Sequence, residues 1–221
     1  MRDTELNRWW RAGVPIVAAL VRVFFRVHVE GTEHVPLRGS ALLAFDHVSV
    51  LDGPVLAVVV ARRVRRESRF LVAAEVFRIP VIGWILRRYE QIPIRRGEGD
   101  SGALDETIAT VRSGALAAIA PEGRVSDDPD GGLQRVRTGA ARIALPTGAP
   151  VVPVGIWGTQ VRWPRSGLRF GRPWRPTVAI AFGSPILPAS EDTDAAEVDS
   201  FTDRVRESLT RQVARARELA G

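Results

Sequence analysis

The chain of 221 residues contains no cysteine and no lysine, and it has only three histidines. The absence of cysteine excludes disulfide bonds, thiolate nucleophiles and cysteine-ligated metals, although serine nucleophiles are not excluded. All 31 basic residues are arginine, as a GC-rich genome would produce, and the net charge is +6. This positive charge favours a partner with phosphates: lipid headgroups, a phosphorylated substrate or nucleic acid. No nucleic-acid-binding motif accompanies the scattered arginines, so we expect no nucleic-acid partner.

Long apolar runs are also missing, even from residues 6–29, the most apolar N-terminal stretch. A transmembrane helix needs about 18 or more consecutive apolar residues, so we do not expect this stretch to span a bilayer. Nor do we expect a signal peptide, because the first five residues mix acidic and basic side chains. Most of the helical wheel is apolar, and a sector of about 60° holds Arg8, Arg11, Arg22 and Arg26. Such a helix either lies in a membrane interface or packs on the domain with its arginines in water.

Composition and hydrophobic periodicity predict one α/β domain. Hydrophobic residues make up 45% of the chain and charged residues 25%, as in ordinary globular proteins. Strands are predicted near 26–30, 41–45, 69–73, 92–95, 115–120, 151–156 and 177–182, and helices near 50–61, 75–88, 102–112, 138–147 and 195–219. This alternation predicts a mostly parallel central sheet with helices on both faces, preceded by the amphipathic N-terminal helix.

A histidine and an aspartate five positions apart follow the predicted strand 41–45. His47 falls just past the end of this strand, where α/β sheets usually carry their chemistry. A neutral imidazole, with an ordinary pKa of roughly 6.5, can take a proton from an alcohol, and a carboxylate such as Asp52 can fix its tautomer. Ser49 and Asp52 also fit a capping box, which is a purely structural interpretation. The two roles of Asp52 are compatible if His47 lies in the loop before the helix.

Charged side chains also follow two further predicted strands. One strand runs into Arg96, and another runs into a turn that contains Glu122, Gly123 and Arg124. If these strands are neighbours in a parallel sheet, Arg96 and Glu122 converge with His47 at one edge. The planar guanidinium of arginine donates two hydrogen bonds to a phosphate, and Glu122 could accept from a hydroxyl or hold an arginine. Taken singly, these residues fit a solvated arginine and an ordinary turn equally well.

In this order, the motifs resemble the four sequence blocks of the glycerolipid acyltransferases, and most closely those of bacterial 1-acylglycerol-3-phosphate acyltransferases of the PlsC type. The four blocks are His47-x4-Asp52, the Ile-Pro-Ile-Arg-Arg segment that ends at Arg96, Pro121-Glu122-Gly123 and the apolar segment 151–154. The resemblance covers roughly residues 26–185. It implies an amphipathic N-terminal helical segment, 1–29, that attaches to a membrane, and an acyltransferase domain, 30–221.

The resemblance implies transfer of a fatty acyl group from acyl-CoA or acyl carrier protein to the hydroxyl of a lysophospholipid. The expected acceptor is 1-acylglycerol-3-phosphate, which would give phosphatidate. His47 would deprotonate the hydroxyl and Asp52 would orient His47, with no covalent acyl-enzyme. The acceptor would be bound by Arg96, Glu122, Gly123 and Arg124. The resemblance further implies no metal or other cofactor, and a peripheral position on the cytoplasmic face of the cell membrane.

Three departures from the family pattern accompany the resemblance. Asp46 stands where an asparagine commonly precedes the histidine, and Arg124 and Val125 stand where Thr-Arg is common. Alanines 73 and 74 replace a common lysine after the third strand. Either Arg124 takes over the usual arginine's role or that contact is lost. The alternatives are therefore a lipid-binding member of the same fold with altered catalysis, or an acyltransferase for a different acceptor.

Two arginine-rich stretches leave a further choice open. One combines Trp157, Trp163 and Trp174 with Arg162, Arg165, Arg169, Arg172 and Arg175, and the other contains Arg62, Arg63, Arg65, Arg66 and Arg69. The first could touch membrane phosphates or the phosphates of a CoA donor. It could instead be a solvated loop whose tryptophans fold inward. The second stretch poses the same choice.

Overall fold

The computed structural model of the chain describes residues 6–95, 101–189 and 193–221. Within them a single sheet is built from seven strands: β1 (Arg26–Glu30), β2 (Ala41–Phe45), β3 (Ser68–Ala73), β4 (Ile92–Ile94), β5 (Leu116–Ile119), β6 (Val151–Trp157) and β7 (Thr177–Phe182). Their order across the sheet is β1-β7-β6-β2-β5-β3-β4. Each predicted strand is present, with ends that agree to within one residue.

The sheet is mostly parallel, as predicted. Strands β6, β2, β5, β3 and β4 run in the same direction, while β7 pairs antiparallel with β6 and parallel with β1. The five parallel strands therefore end at one edge of the sheet, called here the carboxyl edge. Because β7 and β1 run the opposite way, they begin at that edge. The carboxyl edge is therefore where the segments after β2, β5 and β6 lie close to the segments before β1 and β7.

Helices cover both faces of the sheet. They are α1 (Arg8–Phe24), α2 (Asp52–Arg63), α3 (Pro80–Arg88), α4 (Ser101–Arg112), α5 (Gly139–Ala144) and α6 (Ala195–Ala220). One apolar core joins α1 and α2 to the sheet through buried side chains such as Val21, Val55 and Leu43. A second core, on the opposite face, joins α5 and α6 through Ile143, Phe201 and Leu42. Successive residues of β2 thus point into different cores, as strand geometry requires.

Two predicted helices have different boundaries in the structure. Helix α1 ends at Phe24 and residues 26–30 form β1, so 26–29 belong to the sheet and not to the N-terminal helical segment. The predicted helix near 75–88 is divided into a 3₁₀ turn over 74–78 and α3, which Pro80 opens. Proline suits the first position of a helix because the N–H it lacks would have no partner there. The division of the chain at residue 29 otherwise stays a prediction.

The long C-terminal helix lies directly on β6. A Cβ atom at Gly155 would stand 2.1 Å from the carbonyl oxygen of Gln212, so only glycine permits this approach. Helix α6 buries an apolar stripe along its length, formed by Val198, Phe201, Val205, Leu209 and Val213. This packing holds β6 in place against the rest of the sheet.

Helix α1 has two apolar strips and uses them differently. One strip, which includes Trp10, Val14 and Ala18, is buried against the domain. The other exposes Ile16, Leu20 and Val23. The helix was expected either to lie in a membrane interface or to pack on the domain. It packs on the domain and also presents an apolar surface to solvent, so neither interpretation alone describes it. None of the helices in the described residues is both long enough and apolar enough to cross a membrane.

The arginine stretch after α2 includes one structural residue. Arg66 is almost fully buried, and its guanidinium donates hydrogen bonds to the carbonyl oxygens of Pro36, Gly39 and Gly114. These bonds fix the end of α2 beside the segment that precedes β2, at the edge of the sheet opposite the carboxyl edge. For Arg66, therefore, the structural interpretation holds.

Candidate active site

His47 lies in the loop between β2 and α2, at the carboxyl edge. Its Nδ1 is 2.9 Å from Oδ2 of Asp52, which is the first residue of α2 and is fully buried. A carboxylate only accepts hydrogen bonds, so in the neutral imidazole Nδ1 carries the proton and Nε2 keeps its lone pair. The ring of Phe45 packs edge-on against the imidazole, with 5.8 Å between centroids. The predicted pair is thus brought together in the geometry of a base and its orienting acid.

Three donors hold the carboxylate of Asp52. Besides His47, the backbone N–H of Ser49 donates to Oδ2 at 2.7 Å, and the hydroxyl of Thr159 donates to Oδ1 at 2.5 Å. The bond from Ser49 is the one that a capping box requires, but the hydroxyl of Ser49 accepts from Leu51 rather than from Asp52. The capping box is therefore incomplete: Leu51 is the N-cap, and the carboxylate of Asp52, the first residue of the helix, holds the turn before it and orients His47. Thr159, which follows β6, was not predicted, because nothing in its local sequence connects it to Asp52.

Glu122 supports His47 from behind. It is 5% exposed, and its two oxygens accept from the backbone N–H groups of His47, at 2.7 Å, and Gln134, at 2.9 Å. Burial raises the pKa of Glu122, and the two N–H donors partly offset that rise. The loop is closed by a hydrogen bond from the backbone N–H of Ser126 to the carbonyl oxygen of His47, at 2.7 Å. Glu122 is thus used in fixing the backbone on which the imidazole stands, and it contacts no arginine among the residues described.

A second buried carboxylate lies next to His47. Asp46 is 2% exposed, and its Oδ1 accepts from the backbone N–H of Ile156 at 2.6 Å, but its Oδ2 is buried with no hydrogen-bond partner in the described residues. Burial raises the pKa of Asp46 well above its ordinary value, and repulsion from Asp52 and Glu122 acts in the same direction. A buried ionised oxygen without a partner is costly, so the neutral form of Asp46 is favoured.

A pocket of about 320 Å³ opens beside the imidazole. Its floor is formed by the ends of β2, β3, β4 and β5, and its walls include apolar side chains of Leu71, Leu104 and Ile143. Three arginines also line it, Arg95, Arg137 and Arg142, while no acidic side chain among the described residues does. Such a pocket combines an apolar lining with positive charge next to a base.

The predicted ligand residues are placed unequally around this pocket. Gly123 lines it, and a Cβ there would lie 3.5 Å from Nε of Arg137; the φ of +76° at Gly123 also favours glycine. Arg124 is exposed, lies 3.6 Å from Asp127 and is not among the lining residues. Arg96 lies outside the described residues, although its neighbour Arg95 lines the pocket. Arg137 and Arg142 were not singled out from the sequence, because they follow no strand and approach only when α5 packs on the sheet.

A mostly parallel sheet that carries a histidine and an aspartate beside a cationic pocket is the arrangement that the four sequence blocks imply. The chain belongs to the acyltransferase family: the family's sequence model, described as Acyltransferase, matches residues 26–157. The match runs from β1 to the end of β6 and includes His47, Asp52 and Glu122.

Relatives of the chain are known by sequence and by structure. The crystal structure of the 1-acyl-sn-glycerophosphate acyltransferase PlsC from Thermotoga maritima superposes with a TM-score of 0.70 at 26% identity, covering 97% of this chain and 83% of that one. A lyso-ornithine lipid O-acyltransferase from Pseudomonas aeruginosa is 34% identical over 69% of this chain and 53% of its own length. An uncharacterised protein of Mycobacterium tuberculosis is 32% identical over 94% of this chain. The chain spans 65% of the length of that mycobacterial relative.

The described residues include no group of three or more histidine, aspartate or glutamate side chains that could hold a metal ion. The expectation that the reaction needs no metal or other cofactor stays a prediction.

Proposed function

We propose that the protein transfers a fatty acyl group from acyl-CoA or acyl carrier protein to the hydroxyl of a lysophospholipid, with 1-acylglycerol-3-phosphate as acceptor and phosphatidate as product. The observation that carries this proposal is the 2.9 Å contact between His47 Nδ1 and Asp52, which leaves Nε2 available as a base in a side chain that lines the pocket. Membership of the acyltransferase family supports the reaction class. The acceptor named for the Thermotoga relative supports the choice of lysolipid.

In the proposed mechanism the acyl group passes directly from donor to acceptor. His47 Nε2 takes the proton of the acceptor hydroxyl as the oxygen attacks the thioester carbonyl. The new C–O ester bond forms, the C–S bond breaks, and the departing thiolate takes the proton back from the imidazolium. Asp52 stabilises the imidazolium between these two transfers. General-base catalysis of this kind contributes about 10²–10⁴-fold to a rate.

The phosphate of the acceptor would be bound by the arginines that line the pocket. Arg137 lies over Gly123, the predicted turn residue, and Arg142 projects from α5 one turn further on. Guanidinium groups recognise phosphate through paired charge-assisted hydrogen bonds. In this arrangement Arg137, Arg142 and Arg95 join Arg96, whose acceptor-binding role stays a prediction, while Arg124 lies outside the pocket. Glu122 contributes by holding the backbone of His47.

The charge of the pocket favours a phosphate acceptor over the acceptor named for the Pseudomonas relative. A lyso-ornithine headgroup is zwitterionic, with a carboxylate and an ammonium group, so the arginines that line the pocket attract it less strongly than they attract a phosphomonoester. A phosphomonoester carries up to two negative charges and is attracted by the same groups.

We also infer that the protein is peripheral to the cytoplasmic face of the cell membrane, where its lipid acceptor lies. The exposed apolar strip of α1, flanked by arginines, has the character of a helix that lies in a membrane interface. Trp9 extends this strip to α3, since its ring packs at 5.3 Å against Trp84, which is itself half exposed. Tryptophan is enriched at headgroup depth in membrane proteins.

Mass spectrometry of the products tests the proposal directly. Purified protein is incubated with lysophosphatidate, lyso-ornithine lipid and neutral lysophospholipids, each with acyl-CoA and with acyl carrier protein as donor. We expect phosphatidate as the main product, and none from the His47→Ala variant, whose folding is checked by circular dichroism. Vesicle binding without acyl transfer to any acceptor would refute the proposal and favour the lipid-binding alternative.

A further inference from the structure

The connection between β6 and β7, residues 158–176, is called here the arginine-tryptophan loop. Its sequence left open whether its aromatic side chains fold inward, and the structure shows that several do not. Phe170 is 72% exposed and Trp174 is 67% exposed, and Leu168 is half exposed. Large apolar side chains at such exposure, gathered within seven residues, mark a surface that another body covers.

The loop holds these side chains outward through its own hydrogen bonds. The buried guanidinium of Arg162 donates to the carbonyl oxygens of Gly171, Pro173 and Trp174, at 3.1, 2.6 and 2.6 Å. The backbone N–H of Arg169 donates to the carbonyl oxygen of Arg162 at 2.8 Å. One arginine thus organises the backbone on both sides of Phe170, so the exposure of the aromatic rings is built into the fold.

The loop lies at the carboxyl edge and connects the candidate active site to α1. Near its start, the carbonyl oxygen of Trp163 accepts from the hydroxyl of Ser49, at 2.7 Å, between His47 and Asp52 in the sequence. Near its end, the guanidinium of Arg175 donates to the carbonyl oxygens of Arg22 and Phe25, at 2.7 and 3.1 Å, where α1 ends. A partner that covers the loop would therefore also contact α1, and it would lie next to His47.

The charges of the loop identify what would cover it. Between residues 158 and 176 there are five arginines and no acidic residue. Arg169 and Arg172 are exposed and form no ion pair with any described residue. Protruding aromatic rings with unpaired arginines between them fit an anionic bilayer, into which the rings insert while the arginines meet lipid phosphates. A soluble donor would instead need a concave site with convergent polar groups. The groove beneath this loop is lined by Arg162, Arg165, Arg169 and Arg172, but Asp127, Asp128 and Asp130 line it as well and would repel the phosphates of a donor.

We propose that the arginine-tryptophan loop is a second membrane-contact surface, which binds an anionic lipid bilayer together with α1 and holds the mouth of the pocket against it. This inference deepens the proposed function and rests on it for the identity of the substrate. The lipid acceptor would then reach His47 without leaving the bilayer.

Vesicle sedimentation without any substrate tests the loop. We compare vesicles of phosphatidylglycerol and phosphatidylcholine with vesicles of phosphatidylcholine alone. Arg169→Gln combined with Arg172→Gln should weaken binding to the anionic vesicles by about tenfold or more. The matched control, Arg38→Gln with Arg211→Gln, removes the same charge at two exposed positions, one in the segment before β2 and one on α6, on the face of the sheet opposite α1, and should leave binding unchanged.

Insertion of the aromatic residues is measured by a fluorescent label, which is selective because the chain has no cysteine. An environment-sensitive dye on Phe170→Cys should shift its emission to the blue when anionic vesicles are added. The same dye on Leu37→Cys, at a position that is 71% exposed on the opposite edge, should not shift. Each variant carries a single cysteine at an exposed position, and melting curves verify that it is folded.

The outcomes separate this proposal from the proposed function. Unchanged vesicle binding by the double arginine variant, together with no shift at position 170, overturns the loop proposal even if the protein is an active acyltransferase. A raised KM for acyl-CoA in detergent, with vesicle binding unchanged, also overturns it and identifies a donor site. Loop-dependent binding by a protein that transfers no acyl group refutes only the proposed reaction.

Discussion

The two halves of the candidate site are built in different ways. The base half, residues 46–52, is joined internally by contacts between near neighbours in the sequence, His47 to Asp52 and Ser49 to Asp52. Thr159 and Glu122 hold it in place from distant segments. The charged half consists of exposed arginines that come from β4, from the segment before α5 and from α5 itself. In the first half, the pairing of His47 with Asp52 follows from their spacing of five positions along the chain. Position in the second half depends on how distant elements pack.

This difference assigns different tasks to the two halves. A buried network fixes one geometry, which a proton transfer requires, whereas solvated arginines supply charge to a mobile headgroup. Substitutions in the base half should therefore act mainly on kcat. Substitutions in the charged half should act mainly on the KM for the acceptor.

Among substitutions that distinguish the two halves of the site, the largest loss of kcat is expected at Asp52. Asp52→Asn keeps the shape of the side chain but removes the charge that stabilises the imidazolium. It also replaces one of two accepting oxygens by an NH₂ group, which cannot accept from His47, Ser49 or Thr159. We expect kcat to fall by about 10²–10⁴-fold with little change in the KM for the acceptor. Steady-state kinetics measure this, and an equal rise in KM with kcat intact would mean that Asp52 serves substrate binding.

A smaller effect, of the opposite type, is expected at Arg137. Arg137→Gln removes a charged donor from the pocket, and we expect the KM for lysophosphatidate to rise by about 10- to 100-fold, equivalent to roughly 1.5–3 kcal/mol for a charged hydrogen bond. Arg124→Gln is the control, since Arg124 is exposed and does not line the pocket. A response at Arg124 as large as that at Arg137 would reverse the assignment of the two arginines.

Asp46 should affect stability more than catalysis. The pKa of Asp46 is raised in the folded state. The neutral carboxyl therefore costs the folded state no stability below its ordinary pKa of 3.8, and stability is lost as the pH rises toward the folded-state pKa. Asp46→Asn removes this loss and should stabilise the protein by about 1–3 kcal/mol near neutral pH. Melting temperatures at several pH values measure the gain, which should shrink toward zero as the pH falls to about 4. A gain that is independent of pH would show that the pKa of Asp46 is not raised in the folded state.

The smallest effect is expected at Thr159, which donates one hydrogen bond to Asp52. Thr159→Val keeps the side-chain volume and removes the hydroxyl, at a cost of about 0.5–1.5 kcal/mol in the orientation of the pair. We expect kcat to fall by up to about tenfold, while the KM for the acceptor stays the same. Thr159→Ser, which retains the hydroxyl, should restore most of the rate.

Hydrophobic periodicity was sufficient to predict all seven strands, because buried parallel strands such as β2 and β5 are short, uniformly apolar runs. The pairing of His47 with Asp52 was also predictable, since both belong to one strand-loop-helix unit. Thr159, which is 107 positions from Asp52, could not be predicted without knowing that β6 lies next to β2. The arginines of the pocket were missed for the same reason, as their approach depends on where α5 packs.

The turn after β5 illustrates a role that sequence assigned in part. Glu122 was placed correctly at the carboxyl edge beside His47, but its oxygens bind backbone N–H groups rather than an arginine. A carboxylate after a strand does not reveal which donors will reach it. Those donors lie in the loop before α2 and at Gln134, in segments whose path is set by tertiary packing.

The central claim is that the imidazole of His47 removes the proton of a lysolipid hydroxyl, and the single-turnover rate of acyl transfer by His47→Ala tests it most directly. Saturating lysophosphatidate and acyl-CoA remove differences in binding, and circular dichroism verifies that the variant is folded. We expect the rate of phosphatidate formation to fall by at least about 100-fold. A variant that is folded and forms phosphatidate at close to the wild-type rate would contradict the account.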